Sequence, residues 1–280
     1  MAASQTKTKT ASKAKLGTEP ILSRDGKTVT YGLYPQKRVG DPKLIAALEG
    51  IATREPNGYY LHDGVYYAKL AARPSKPDYV FDDGTPIVGD NVYWFECEPI
   101  RWRVIWTRGD VRYLLSDVVL DASRYGDDSN EYAHSDIHGW LNYVFLKSAF
   151  TLGGKAIVAT YVDNGAFVTD SLDNEFVSED TEDKVYLLSY KDYLDPDFGF
   201  PSSTDKSRER CAKTTDWARA RGAYSDTSPE YLNNGHYWTR SPYSRFYLSA
   251  WYVNHDGRIF VGHIYQGDFG VRPIIKVEIK

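Results

Sequence analysis

Apolar and polar positions alternate through "GKTVTYGLYP" (residues 26–35), which predicts a strand stopped by Pro35. In "DPKLIAALEGIA", Leu44, Ile45 and Leu48 recur on one helical face, with Asp41 placed to cap and Pro42 at the first position. "NGYYLHDGVYYAKLA" predicts two aromatic strands around a turn at His62-Asp63-Gly64. The Pro-, Asp- and Gly-rich residues between Ala72 and Asn91 read as a long surface loop. "VYWFECEPIRWRVIW" reads as a strand pair broken at Pro99, and "VRYLLSDVVLD" continues the sheet. The clearest helix is "SDIHGWLNYVFLKSAF", capped by Ser135 or Asp136, with Ile137, Leu141, Val144 and Phe145 as its apolar stripe. "KVYLLSY" predicts a strand and "TDWARARG" a short helix stopped by Gly222. From "HYWTRSP" to "VRPIIKVEI" the chain returns to strands and turns. Short mixed strands with two or three helices make an α+β class.

Within the last third, "WYVNHDGRIFVGHI" is a hairpin candidate around Asp256-Gly257. If Val253 and one of Ile259 or Val261 point inward, alternation turns Tyr252 and Phe260 outward, and a slip of one residue exchanges the faces. The chain holds 23 tyrosines and 7 tryptophans against a single methionine. Tyr and Trp offer large amphipathic area at low entropic cost, so this excess suits either aromatic-rich strands or a recognition surface.

Net charge is -4 with a pI near 5.9, which disfavours unspecific attraction to nucleic acid or anionic membrane. No apolar run approaches transmembrane length, so membrane insertion is not expected. Residues 1–18 are rich in Lys, Thr, Ser and Ala and read as a disordered tail. They lack the apolar segment of a secretion signal and a cysteine for lipid attachment. The expected location is therefore cytoplasmic, or a phage particle or other signal-independent route. Cys97 and Cys211 are far apart and read as free thiols, with a single bridge between them left open.

The blocks "YGLYPQ", "NGYYLHDGVYYAKL", "YWFECEPIRWRVI", "YLLSDVVLDASRY", "YAHSDIHGWLN", "DKVYLLSY", "YWTRSP" and "GVRPIIKV" follow the order typical of the bacterial DUF6273 family. The resemblance runs from about Thr28 to the C-terminus. It implies one domain over residues 19–280 with a C-type lectin-like fold of the formylglycine-generating-enzyme type. First and last strands would lie close together, and the final third would form an irregular exposed face. Some members resemble variable proteins of diversity-generating retroelements, in which the stretch between "RSP" (Arg240 to Pro242) and "GVRP" (Gly270 to Pro273) is rewritten by adenine-directed mutagenesis. On that resemblance residues 241–273 form a variable ligand-binding face. Its expected contacts are Tyr243, Arg245, Phe246, Tyr247, Leu248, Trp251, Tyr252, Asn254, His255, Arg258, Phe260, His263, Tyr265, Gln266, Asp268 and Phe269. Most of these types are reachable from asparagine codons, whereas Trp251 and Gln266 need other template codons. The expected partner is a protein or cell-surface ligand, with no nucleic acid and no cofactor.

Other motifs carry less. Glu55-Pro56-Asn57 spells a tripeptide of calcium-dependent lectins, yet it sits early and before a hairpin, where a turn is the ordinary reading. His134 and His138 are spaced for one helical face, but Ser135 stands where a zinc protease needs Glu, and no third ligand is in evident spacing. Formylglycine-generating enzymes rely on a cysteine pair near the C-terminus, and here no cysteine follows Cys211. An enzyme of that fold with an unrecognised site is the alternative to a binding protein.

Overall fold

The computed structural model describes residues 17–151 and 153–279. Of the expected tail, residues 1–16 lie outside these. Gly17 and Thr18 belong to the folded chain, the carbonyl of Gly17 accepting from the amide of Gly32 at 3.0 Å.

Fifteen strands are present among the described residues: β1 (Ile21–Leu22), β2 (Thr28–Arg38), β3 (Tyr60–His62), β4 (Val65–Ala71), β5 (Val92–Arg108), β6 (Val111–Ser116), β7 (Asp121–Ala122), β8 (Thr160–Val162), β9 (Thr181–Asp183), β10 (Val185–Tyr186), β11 (Tyr237–Pro242), β12 (Ser249–Val253), β13 (Ile259–His263), β14 (Gly270–Val271) and β15 (Ile274–Glu278). One sheet runs β1-β2-β5-β6-β15-β10, with the β3–β4 hairpin joined to β5. A second runs β13-β12-β11-β14-β7, in which only β11 and β14 are parallel. The β8–β9 ribbon stands apart. Helices α1 (Pro42–Glu49), α2 (Asp136–Gly139), α3 (Leu146–Phe150) and α4 (Asp216–Arg221) complete an α+β protein, and none is long and apolar enough to cross a membrane.

The local signals worked where they were chemical. Asp41 accepts from the amide of Lys43 and opens α1, and Gly222 ends α4 at φ 112°; the cap of α4, Thr215, was not expected. Asp63 and Gly64, at φ 48° and 75°, make the β3–β4 turn. The prolines did not act as expected. β2 continues through Pro35 and β5 through Pro99, because the ladder shifts register near both and no amide is required there.

The second helix also departs from expectation. Between α2 and α3, Trp140–Phe145 widens into a π-helical turn. Ile137, Leu141, Phe145 and Ala149 then follow one another down the buried side, and Val144 is rotated into solvent. "KVYLLSY" pairs only over Val185–Tyr186. The 72–91 segment is not a free surface loop either. Tyr79, Phe81 and Ile87 are buried with Ala72, Phe95 and Ala220, and the Tyr79 hydroxyl accepts from the amide of Ser225 at 2.8 Å.

The main core packs the large sheet against the second helix and continues into the second sheet through Trp238 and Val253: Phe150 packs on Tyr31 (5.1 Å) and Trp102 (6.2 Å), while Trp102 donates to the carbonyl of Tyr31 at 2.8 Å. β2 and β15 share the sheet with two strands between them. Even so, residues 18–20 and 278–279 line one cavity of about 620 Å³.

Candidate recognition face

The second sheet ends in the β12–β13 hairpin, whose register sets Val253 opposite Ile259 and Tyr252 opposite Phe260. Val253 and Ile259 are buried and Val261 is half-buried, so of the two partners left open for Val253 the hairpin takes Ile259. Its tip is gripped by distant side chains. Arg210 donates to the carbonyl of Gly257 at 2.6 Å, and Asn234 to that of His255 at 3.0 Å. Gly257 sits at φ 81° where a Cβ would stand 1.9 Å from the carbonyl oxygen of Ser207, so no other residue fits. Inside the tip, Asp256 accepts from Asn254 Nδ2 (3.0 Å) and Arg258 Nε (2.8 Å). Burial pushes the Asp256 carboxyl up, but the bonds from Arg258 outweigh it and hold the group below its ordinary value.

The loop from β11 to β12 is held the same way. Asn130, itself buried, donates from Nδ2 to the carbonyls of Tyr243 (3.2 Å), Phe246 (3.2 Å) and Ser249 (2.6 Å). The Tyr243 amide reaches the Ser249 carbonyl at 3.0 Å, and the Ile264 amide the Leu248 carbonyl at 3.0 Å. Asn174 donates to the carbonyl of Pro242 at 3.1 Å. From Tyr243 to Leu248 these bonds grip main-chain atoms, and only Ser244 uses its side chain, toward Asp170 at 2.7 Å.

Arg245, Phe246, Tyr247, Phe260, His263, Tyr265 and Gln266 are consequently exposed, the four large aromatics among them between 38% and 55%. Phe246 neighbours Tyr247 (5.6 Å) and His263 (6.3 Å), and His263 stacks on Tyr265 at 5.4 Å and 7°. Arg258 lies 4.9 Å over the Phe260 ring. Tyr243, Leu248, Trp251, Tyr252, His255, Arg258 and Asp268 are half-buried. Trp251 turns away from this row to pack on Tyr190 (4.6 Å) and Tyr243 (5.5 Å).

Two expected contacts are corrected. Phe269 is 3% exposed, sandwiched between Trp238 (3.9 Å) and His236 (4.2 Å). Asn254 is buried and serves Asp256. Both support the face from beneath, because a ring and an amide with partners on every side have no surface left to offer.

Beneath the face, His236 lies between Phe269 and Tyr224 (4.6 Å), with Nε2 3.2 Å from the Asp268 carbonyl. Burial lowers this imidazole to about 4 and raises the Asp268 carboxyl. The two motif arginines are buried as well. Arg240 bonds Asp192 at 2.7 Å and the Leu187 carbonyl at 3.0 Å; Arg272 bonds the Ser116 carbonyl (2.8 Å) and the Tyr237 hydroxyl (2.9 Å). Asn130, Asn174, Arg210 and Asn234 carried no local signal, since each meets the face through a contact far away in sequence.

The remaining motifs resolve simply. Glu55 to Gly58 form a turn closed by the Gly58 amide on the Glu55 carbonyl at 2.8 Å. His134 bonds Glu131 and Glu179, and His138 bonds Asp183 at 2.8 Å. Among the described residues no group of three His, Cys, Asp or Glu is arranged to hold a metal ion. Cys97 and Cys211 are both free thiols, each pushed up by burial.

These features define the class: an α+β protein whose last sheet carries a braced aromatic face. Residues 109–279, more than half of the chain, match the family model DUF6273, a domain of unknown function, and the chain belongs to that family. The blocks upstream, from "YGLYPQ" to "YWFECEPIRWRVI", lie outside the match. No curated protein and no solved structure shows significant similarity to the chain.

Proposed function

We propose that the chain is a ligand-binding variable protein of a diversity-generating retroelement, with a C-type lectin-like scaffold of the formylglycine-generating-enzyme type. Its exposed row seats a protein or cell-surface ligand. One observation carries the reading: the display loop and the hairpin tip are braced largely through main-chain atoms, from Asn130, Arg210 and Asn234. Side chains that do little for the loop's conformation are free to be chosen for what they bind. Phe246, Tyr247, Phe260 and Tyr265 serve as rigid anchors, and Arg245, His263 and Gln266 as adaptable hydrogen-bonders, a mixture suited to protein recognition. Preorganised loops also lower the ordering cost of association.

The test is a displayed library with Arg245, Phe246, Tyr247, His263 and Tyr265 randomised, panned against several unrelated purified proteins. Selective binders to different targets on an unchanged scaffold are expected. A library that is mostly misfolded, or that yields no selective binder, overturns the reading. The retroelement assignment has its own check, a near-identical template repeat and a reverse transcriptase gene beside the coding DNA.

A further inference from the structure

The strap between β8 and β9 reverses the usual distribution of polar and apolar side chains. Asn164, Thr169 and Asn174 are buried, while Phe167 and Leu172 are 78% and 70% exposed. Both stand further into water than any aromatic of the recognition face.

The strap's backbone is firmly held. The Asn164 amide donates to Asp180 at 2.8 Å, and its side chain to the Glu179 carbonyl at 3.1 Å. Thr169 Oγ1 lies 2.7 Å from the Ser171 carbonyl, and Asn174 Nδ2 reaches Pro242 of β11. Ser241 donates to the Val168 carbonyl at 2.7 Å. The outward Phe167 and Leu172 are therefore set by a backbone braced through Asn164, Thr169, Asn174 and Ser241. A single exposed apolar residue is ordinary, but apolar residues turned outward on a polar-anchored strap leave a surface suited to a partner.

Charge narrows that partner. From Asp163 to Asp183 the strap and β9 together hold eight acids and no Lys or Arg. Some are used internally: Asp183 pairs with His138, Glu179 with His134, and Asp170 accepts from Ser244. Asp173, Glu175 and Glu182 are exposed and form no ion pair among the described residues. Outward apolar residues on a segment that also carries exposed acids without ion pairs fit a basic chain with its own apolar anchors.

We infer that Phe167 and Leu172, together with Asp173 and Glu175 of the same strap and Glu182 of the adjoining β9, form a second docking surface for a basic, apolar-bearing polypeptide, separate from the variable face. The surface lies outside the 241–273 stretch, so its partner stays constant while the displayed row changes.

The experiment pans a displayed library of short random peptides against the full chain, with counter-selection on a Phe167→Ser/Leu172→Ser variant. Expected are peptides combining Lys or Arg with Leu, Phe or Trp. Their affinity should fall about tenfold or more in that variant and in Asp173→Asn/Glu175→Gln/Glu182→Gln, and should weaken as salt rises. A Phe246→Ser/Tyr247→Ser variant should bind them unchanged, which separates this surface from the proposed recognition face. The inference is overturned if no such peptides emerge, if they are acidic, or if they depend on Phe246 and Tyr247. It also falls if they bind only when Lys7, Lys9, Lys13 and Lys15 are changed to Gln, because the occupant is then the chain's own amino-terminal segment.

Discussion

The large sheet and the display loop at the end of the second sheet are held in opposite ways. In the eight-stranded sheet, aromatic side chains make the contacts themselves: Trp102 packs on Phe150, and Tyr60 on Trp94 at 4.9 Å. At the free end of the five-stranded sheet, buried polar side chains grip carbonyls, and the aromatics of the loop are left over. A fold can thus separate what holds a segment from what the segment displays. In the first sheet a ring is structure; in the display loop it is free to serve another purpose.

The sharpest test of this contrast is Trp102→Ala, which empties a fully buried site and removes the bond to the Tyr31 carbonyl. A loss of about 3–5 kcal/mol in denaturant unfolding is expected. A loss below about 1 kcal/mol would mean that the first sheet does not rest on its rings.

Next comes the pH response of the buried imidazole beneath the face. His236 is held near 4, against about 6.5 in an unfolded chain. Below about 6.5 the unfolded state takes up a proton that the folded state refuses, so stability falls as pH drops toward about 4 and levels off beneath it. Its share amounts to roughly 3 kcal/mol. A His236→Phe variant keeps a ring in the sandwich but has no proton to gain. Its thermal midpoint should therefore decline less than wild type over that window; identical declines would remove His236 from the account.

The smallest effects divide brace from display. Asn130→Ala leaves three carbonyls without their shared donor and should cost about 1–3 kcal/mol, with faster amide exchange at Tyr243 and Ser249. Phe246→Ser with Tyr247→Ser should change stability by less than about 0.5 kcal/mol. If the second pair costs as much as the first substitution, the displayed rings are part of the structure and the contrast disappears.

Much of this protein is written in short-range chemistry. Asp41 before Pro42, Gly222 after α4 and Asp63-Gly64 in the β3–β4 hairpin depend on backbone geometry within a few residues, so the sequence alone determined them, whereas the pairing of Val253 with Ile259 was one of the alternatives it left open. Three things were not revealed by the local pattern. Pro35 and Pro99 stayed within strands because the facing strand shifted register around them. Val144 turned outward because the second helix widened over Trp140–Phe145. Phe269 went under the face rather than onto it because Trp238 and His236 closed on both of its sides. Tyr265 and Phe269 are aromatic residues four apart in the same stretch, and nothing local distinguishes them. Burial is decided by whatever packs against a side chain, and only the tertiary structure supplies that partner.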